Sequence, residues 1–578
     1  MSMARTTLAL LPRTSLALLP LVALGCDPSP ASDAGLLPDA AIALDAPPTD
    51  DAFVPVMDWP ASEVPVSTEV EPGIVRELVE IDGFDAPPNP EGTIDTPEAY
   101  DRARFVRYRA STATEPRAIV LAMPGIFGGA GSFAPLARSL VRRSLASGSA
   151  TGAIEVWAID RRSNFLEDLR GLDAAEAEAN VDIARGYYFG RDTVGGEPFA
   201  GFRAQDEVAY MSEWGLATHF GDLRAMIERV PASARKGHVF LLGHSLGATM
   251  TETFGAWVFP DGVRGSELLA GLVLVDGGQG QTPITEDEYE NGGGGGTFMP
   301  FDGVSEIRTG NRYLALPLLG VSVYAQAEIV AMAAALAPDE VRMGDRDRDR
   351  VLRTLLSVSG ALPPMTNEAA FGFGFDDASN GLSFAAVSMG EPVGPVEPYD
   401  SVFGATLERP SDRSVTYTWI DAPDATPPEL TPVANLAEAW IAGRTNFAEW
   451  YFPARLSVDL AACGGLAVAS DGWEASYGLA CSSGAAMDAP VLAIAAGLTT
   501  VEGYEASRLR AAPIGEGRAH AGATRDSADA YRVLDATFMT HIDPLTAADT
   551  DRNEVPEAIL DFVASNLEPG TTGPIDLP

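Results

Sequence analysis

Gly243-His244-Ser245-Leu246-Gly247 is the segment of the sequence best suited to chemistry. It follows the apolar run Val239-Phe240-Leu241-Leu242, which reads as a strand, and precedes a helical stretch through Met250 and Phe254. A serine between strand and helix sits on a very tight turn. That turn leaves no room for side chains at its two flanks, and glycine stands at both. The hydroxyl is thereby exposed. The free N–H groups and the positive dipole end of the following helix point at the same place. Such a serine is a nucleophile in waiting, and it needs a base to take its proton and an acid to orient the base. The oxyanion formed by its attack needs backbone N–H donors, of which Leu246 N–H is expected to be one.

Five histidines bound the choice of base. His244 lies inside the turn and is expected to point elsewhere and pack. His219 falls in the helix before the serine's strand, and His238 opens that strand at its far end. His520 sits in a Gly/Ala-rich loop. His541 follows the last apolar stretch and precedes the final helix.

Strands and helices must alternate to hold such a site. Arg104–Tyr108 alternates like a half-buried strand, and Ala118–Met123 is a continuous apolar run ending at Pro124-Gly125. Leu136, Leu140, Val141 and Leu145 fall at helical spacing. Ile154–Asp160 and Leu272–Asp276 read as further strands, and residues 202–230 as one long amphipathic helix. After Asp276 the rhythm breaks for some two hundred residues and resumes at Pro490–Ala495. A closing helix is expected near Val555–Leu567. This alternation implies an α/β fold with a mostly parallel sheet covered on both faces, interrupted by one insertion.

These features together resemble the α/β-hydrolase family, in particular its esterase, lipase and acyltransferase-like members. The resemblance covers residues 103–276 and 489–568. It rests on the turn at Ser245, on Pro124-Gly125-Ile126-Phe127-Gly128-Gly129 after an early strand, on Asp160-Arg161-Arg162 after the next, and on a histidine after the last strand. It implies that His541 is the base and that Ile126 N–H is the second oxyanion donor. The family usually supplies its acid after the seventh strand, but that loop reads Gly497-Leu498-Thr499-Thr500-Val501-Glu502, without an Asp. Some members place the acid after the sixth strand, where Asp276 stands. The triad expected is therefore Ser245, His541 and Asp276, with Glu502 as the alternative acid. The resemblance also places a cap after the sixth strand. The expected division is a core of residues 76–276 and 489–578 with a cap of residues 277–488.

The amino end adds a destination. Residues 1–25 carry Arg5 and Arg13 and an apolar run too short to span a bilayer, as an export signal does. Val22-Ala23-Leu24-Gly25-Cys26 resembles the lipobox of bacterial lipoproteins, which implies acylation of Cys26; ordinary signal cleavage is the alternative. Residues 27–75 carry ten acids and no Lys or Arg, so residues 26–75 are expected to be a disordered acidic tether. The location implied is a bacterial membrane-anchored lipoprotein, or a periplasmic or extracellular protein. The other two cysteines, Cys463 and Cys481, are expected to form a disulfide rather than remain separate buried thiols.

Of 578 residues, 39 are Lys or Arg and 81 are Asp or Glu, a net charge of −42. That balance argues against nucleic acid as a partner and against a polybasic membrane face. Membrane contact is expected only through Cys26. No metal cluster, P-loop or dinucleotide fingerprint is present, and no cofactor is expected. The function expected is an exported serine hydrolase acting on a small-molecule or lipid-like ester with an apolar acyl or alcohol group. An amidase or acyltransferase would use the same triad. A non-catalytic surface binding protein could keep the fold without the chemistry.

Overall fold

The fold is described from a computed structural model. It describes residues 67–567 and 575, except 88–94, 113–115, 147–148, 281, 294–301, 316–319, 342–351, 354, 357, 359–360, 383, 402–403, 425–428, 442–444 and 470. The expected export segment, Cys26 and most of the expected tether lie outside these residues.

Nine strands form one sheet: β1 (Ser67–Glu71), β2 (Ile74–Asp82), β3 (Arg102–Ala110), β4 (Ala118–Met123), β5 (Ile154–Asp160), β6 (Val239–His244), β7 (Gly271–Val275), β8 (Val491–Ala495) and β9 (Tyr531–Asp535). Their order is β1-β2-β3-β5-β4-β6-β7-β8-β9. The pairs from β5 through β9 are parallel, and those joining β1, β2, β3 and β5 are antiparallel. The central strands are buried on both faces, which is why β4 and β6 read as unbroken apolar runs. Helices cover the sheet on its two sides. On one side Val120, Phe240 and Leu242 pack with α1 (Ala134–Ser144) and a C-terminal helix, Val555–Asn566. On the other, Ile119 and Leu241 pack with α2 (Leu216–Glu228) and α3 (Leu246–Ala256). This is the expected α/β architecture, a mostly parallel sheet covered by helices on both faces.

Two expectations are corrected. Residues 67–75 belong to a hairpin rather than the tether: β1 and β2 pair on the sheet edge through a turn at 72–73. Acidic composition up to Glu71 hides this, because what holds β2 is remote. Arg109 Nε donates to Glu77 at 3.1 Å, and Arg107 lies beside the same carboxylate. The helix expected over 202–230 begins only at Leu216. Asp459 Oδ2 caps it there by accepting from Leu216 N at 2.9 Å. Residues 203–205 are drawn instead into bonds with Tyr313, Tyr451 and Arg312.

The long excursion between β7 and β8 carries helices that include α4 (Ser322–Leu336), α5 (Val433–Trp440) and α6 (Ala454–Ala462). With the hairpin counted, it follows the seventh strand of the sheet. It belongs to the same compact unit, Glu63–Pro578, as the sheet. Cys463 and Cys481 are joined by a disulfide near its end. Among the described residues no helix is long and apolar enough to cross a membrane.

One buried ion pair ties β5 to α2. Arg162 donates from Nε to Asp222 Oδ2 at 2.8 Å and from Nη2 to Asp222 Oδ1 at 2.6 Å, and Asp222 also accepts from Phe84 N at 2.7 Å. Removing Arg162 strands the Asp222 carboxylate, which then keeps Phe84 N as a donor, whereas Arg162 without Asp222 still has Asp101 Oδ1 at 3.0 Å. Arg162→Met is therefore expected to lower stability by about 3–5 kcal/mol in urea denaturation, and Arg162→Met with Asp222→Leu to cost less than that single change.

Candidate active site

The residues expected to do chemistry converge at the carboxyl ends of the parallel strands, where ligands of open α/β sheets bind. Ser245 follows β6, Asp276 follows β7, His541 lies beyond β9, and the Pro124–Gly129 turn follows β4.

Ser245 sits in a conformation that non-glycine residues rarely adopt, φ 58° and ψ −126°. Such a backbone costs about 1–3 kcal/mol and persists only where its surroundings impose it. Here they do. A Cβ on Gly243 would overlap the carbonyl oxygen of Gly247, and one on Gly247 would overlap that of Met123. Ser245 N donates to Val275 O at 2.9 Å, which fixes the turn to the end of β7. Leu246 opens α3, so its N–H belongs to the free amino end of that helix.

Asp276 and His541 are brought together. His541 Nδ1 donates to Asp276 Oδ2 at 2.6 Å, and both side chains are fully buried. The carboxylate has further donors. Asp276 Oδ1 accepts from Ala496 N at 3.2 Å, Thr499 N at 2.8 Å and Thr499 Oγ1 at 2.7 Å, and Oδ2 accepts from Leu498 N at 3.0 Å. Burial alone would raise the Asp276 pKa. The hydrogen bonds from His541, Thr499 and Leu498 and the His541 charge outweigh it and hold the group below its ordinary value. Glu502, the alternative acid, is exposed in the first turn of α7 (Val501–Ser507).

The Pro124–Gly129 turn lies against the serine. A Cβ on Gly125 would come within 2.9 Å of Ser245 Cβ, so only glycine lets the turn approach this closely. Ile126 follows directly, and Phe127 takes φ 57°. The Phe127 ring packs on Tyr324 of α4 and on Phe452, with centroids 5.6 and 5.8 Å away. Aromatic side chains of the excursion thus pack against this turn.

Sequence reasoning misses three supports. Leu498 and Thr499 hold the acid, and the only signal for them is a loop that lacks the expected Asp yet carries Thr499. His244 is more than packing: its Nε2–H donates to the His541 carbonyl oxygen at 2.8 Å, and the two rings lie 4.4 Å apart. His219 donates from Nδ1 to Gly215 O at 2.8 Å within α2, and His238 donates to Arg117 O at 2.7 Å. His520 is part-buried and bonds Ser565 O.

No family model matches the chain, and no curated protein matches it either. Solved structures with similar folds include a putative lipase from Sulfolobus solfataricus, 11% identical with a TM-score of 0.39, covering 87% of this chain and 95% of that one. A peroxisomal α/β-hydrolase of Saccharomyces cerevisiae is 9% identical with a TM-score of 0.36, covering 86% of this chain and 91% of that one. Epoxide hydrolase A from Mycobacterium thermoresistibile is 13% identical with a TM-score of 0.33, covering 87% of this chain and all of that one. These likenesses carry nothing about chemistry, which rests on the chain's own residues.

Burial holds the pKa of both His219 and His244 down to about 3, from an ordinary 6.5; for His244 the neighbouring His541 adds to the effect. The unfolded chain binds a proton on each below about pH 6.5 while the folded chain does not, so their contribution is intact above that pH and is lost on acidification towards pH 3. Each is expected to add about 1.4 kcal/mol per pH unit to the loss inside this window. Urea midpoints across the window check this, and His244→Asn should make the profile shallower. A slope unchanged in that variant counts against the assignment.

Proposed function

We propose that the protein is an exported serine hydrolase that cleaves carboxylic esters with an apolar acyl or alcohol group. The observation that carries the reading is the buried Asp276–His541 hydrogen bond of 2.6 Å at the strand ends that also hold the strained Ser245. With Nδ1–H given to an ionised Asp276, the neutral imidazole keeps its lone pair on Nε2, which is the atom a base needs. Ser245 Oγ attacks the ester carbonyl carbon as His541 Nε2 takes its proton. The Leu246 and Ile126 N–H groups hold the oxyanion. The carbonyl re-forms, the alcohol leaves with the proton from His541, and an acyl-enzyme remains. Water then attacks the acyl carbon, losing a proton to the same nitrogen, and the acid is released with Ser245 restored. Asp276 stabilises the imidazolium at each step. A neutral His244 supports this, since a second cation beside His541 would oppose it.

Hydrolysis of a short nitrophenyl ester and labelling of Ser245 by a fluorophosphonate test the reading. Ser245→Ala is expected to abolish labelling and to lower kcat by about four orders of magnitude or more. Asp276→Asn should lose about 10⁴-fold in kcat, while Glu502→Gln stays within about threefold of wild type. Equal rates for wild type and Ser245→Ala would sink the reading. Amide substrates and acyl acceptors run in the same assay separate esterase from amidase and transferase.

The amino end belongs to the same proposal: residues 1–25 direct export and Cys26 takes a lipid. Cells fed an alkyne-tagged fatty acid should label the wild-type protein and not Cys26→Ser. Equal labelling of the two would overturn the anchor.

A further inference from the structure

Arg161 takes no part in the steps above, yet it is built into the turn that supplies Ile126. Its side chain is 1% exposed and that of its partner Glu449 is 0% exposed. Nη1 donates to Glu449 Oε2 at 2.7 Å and to Gly128 O at 3.2 Å. Nη2 donates to Gly125 O at 3.0 Å and to Pro124 O. The N–H groups of the two Nη atoms are thus used on one turn and one carboxylate, with the Met250 sulfur a further acceptor 4.0 Å from Nη2. Glu449 is itself fixed, because Ser163 Oγ donates to its other oxygen and its own N–H donates to Phe127 O at 2.8 Å. Neighbouring residues continue the hold: Gly129 N donates to Phe447 O at 2.7 Å and Gly131 N to Asn446 O at 3.1 Å.

Peptide geometry turns this clamp into a statement about the oxyanion donor. The Gly125 C=O and the Ile126 N–H belong to one planar peptide and point in opposite directions. The oxygen is fixed by Arg161 Nη2 and by Gly128 N, the latter at 3.2 Å. With the oxygen held towards the guanidinium, the Ile126 N–H is turned away from Arg161. The same peptide begins at Gly125, the residue pressed against Ser245. A cation on the carbonyl oxygen also polarises the amide, which strengthens its N–H as a donor.

We propose that Arg161, locked by Glu449, is a positioning residue that aims and polarises the Ile126 N–H of the oxyanion hole. The proposal rests on the serine-hydrolase reading. Glu449 belongs to the excursion between β7 and β8, so that excursion contributes to the site. A lysine cannot replace the arginine here, because one ammonium cannot span three carbonyls and a carboxylate.

The test uses the full chain, a short nitrophenyl ester and a boronic acid, whose tetrahedral serine adduct places an oxygen in the oxyanion hole. Arg161→Lys is expected to lower kcat by about 10- to 100-fold, and Arg161→Met by about 10²- to 10³-fold, with KM changed less than about threefold. Boronate affinity should fall in parallel with kcat. Glu449→Gln, which keeps a neutral acceptor for Arg161, should show a smaller loss of the same kind, and it carries the test if either arginine variant fails to fold. Folded variants with wild-type kcat and boronate affinity, or with a change confined to KM, would overturn the proposal. Fluorophosphonate labelling of the wild type separates the two levels. No label at Ser245 overturns the hydrolase reading itself, whereas a label with undiminished kcat in the variants overturns only the role of Arg161.

Discussion

Asp276 is a charge without access to water, and the loops at the strand ends are arranged to satisfy it. A lone buried carboxylate is so costly that it would take up a proton instead. Here three backbone N–H groups, the Thr499 hydroxyl and the His541 ring converge on its two oxygens. The consequences spread outward. An ionised Asp276 dictates which nitrogen of His541 carries the proton. The His541 backbone is tied in turn, because its carbonyl accepts from His244 and because Gly497 leaves room for its N–H side. Tyr504 completes the enclosure by bridging Gly277 N and Gly277 O, each at 2.8 Å. The tautomer, the orientation of the ring and the path of two loops follow from meeting one charge.

The excursion between β7 and β8 is joined to this machinery at several points. Glu449 reaches the turn beside Ser245. Asp459 caps α2, and Tyr289 donates to the same carboxylate at 2.7 Å. Asp543, two residues past His541, accepts from Thr431 Oγ1 at 2.8 Å and from Ser388 N at 3.1 Å on the excursion, and from Thr540 N at 2.8 Å on its own loop. Burial raises the pKa of Asp543 to about 6 despite these donors. These contacts are polar and buried or part-buried, so losing one weakens the hold on a shared carboxylate. A segment held in this way transmits its position to the site.

What is legible in the sequence is what is local. The turn at Ser245 is a five-residue constraint, and its glycines announce it. The apolar runs of β4, β6 and β8 announce burial on both faces. His541 as a base comes from the family resemblance, which implies a histidine after the last strand. The misses are all remote. The hairpin at residues 67–82 depends on Arg107 and Arg109, and the start of α2 on Asp459. Arg161 and Glu449 are 288 residues apart, and neither composition nor periodicity pairs them. Asp276 stands between these cases: its type and position are readable, but its selection over Glu502 depends on the fold of a separate loop.

That selection has a geometric basis. β7 and β8 are parallel neighbours, with Val275 opposite Ile494, and Asp276 N donates to Ile494 O at 2.9 Å. Their carboxyl ends therefore lie side by side, and a carboxylate from either strand can reach the same Nδ1. The two solutions differ in what the other loop must do. With the acid on β8, the end of β7 need only stay out of the way. With the acid on β7, the β8 loop loses a charged side chain and must become the donor set, because the carboxylate now sits where that loop turns. Gly497, Leu498 and Thr499 meet that requirement with a close approach, a backbone N–H and a donor pair respectively. Asp276 in return takes φ 47°, a conformation that Asp tolerates better than most residues. The β8 loop without an Asp and the positive-φ Asp276 thus belong to one hydrogen-bonded arrangement.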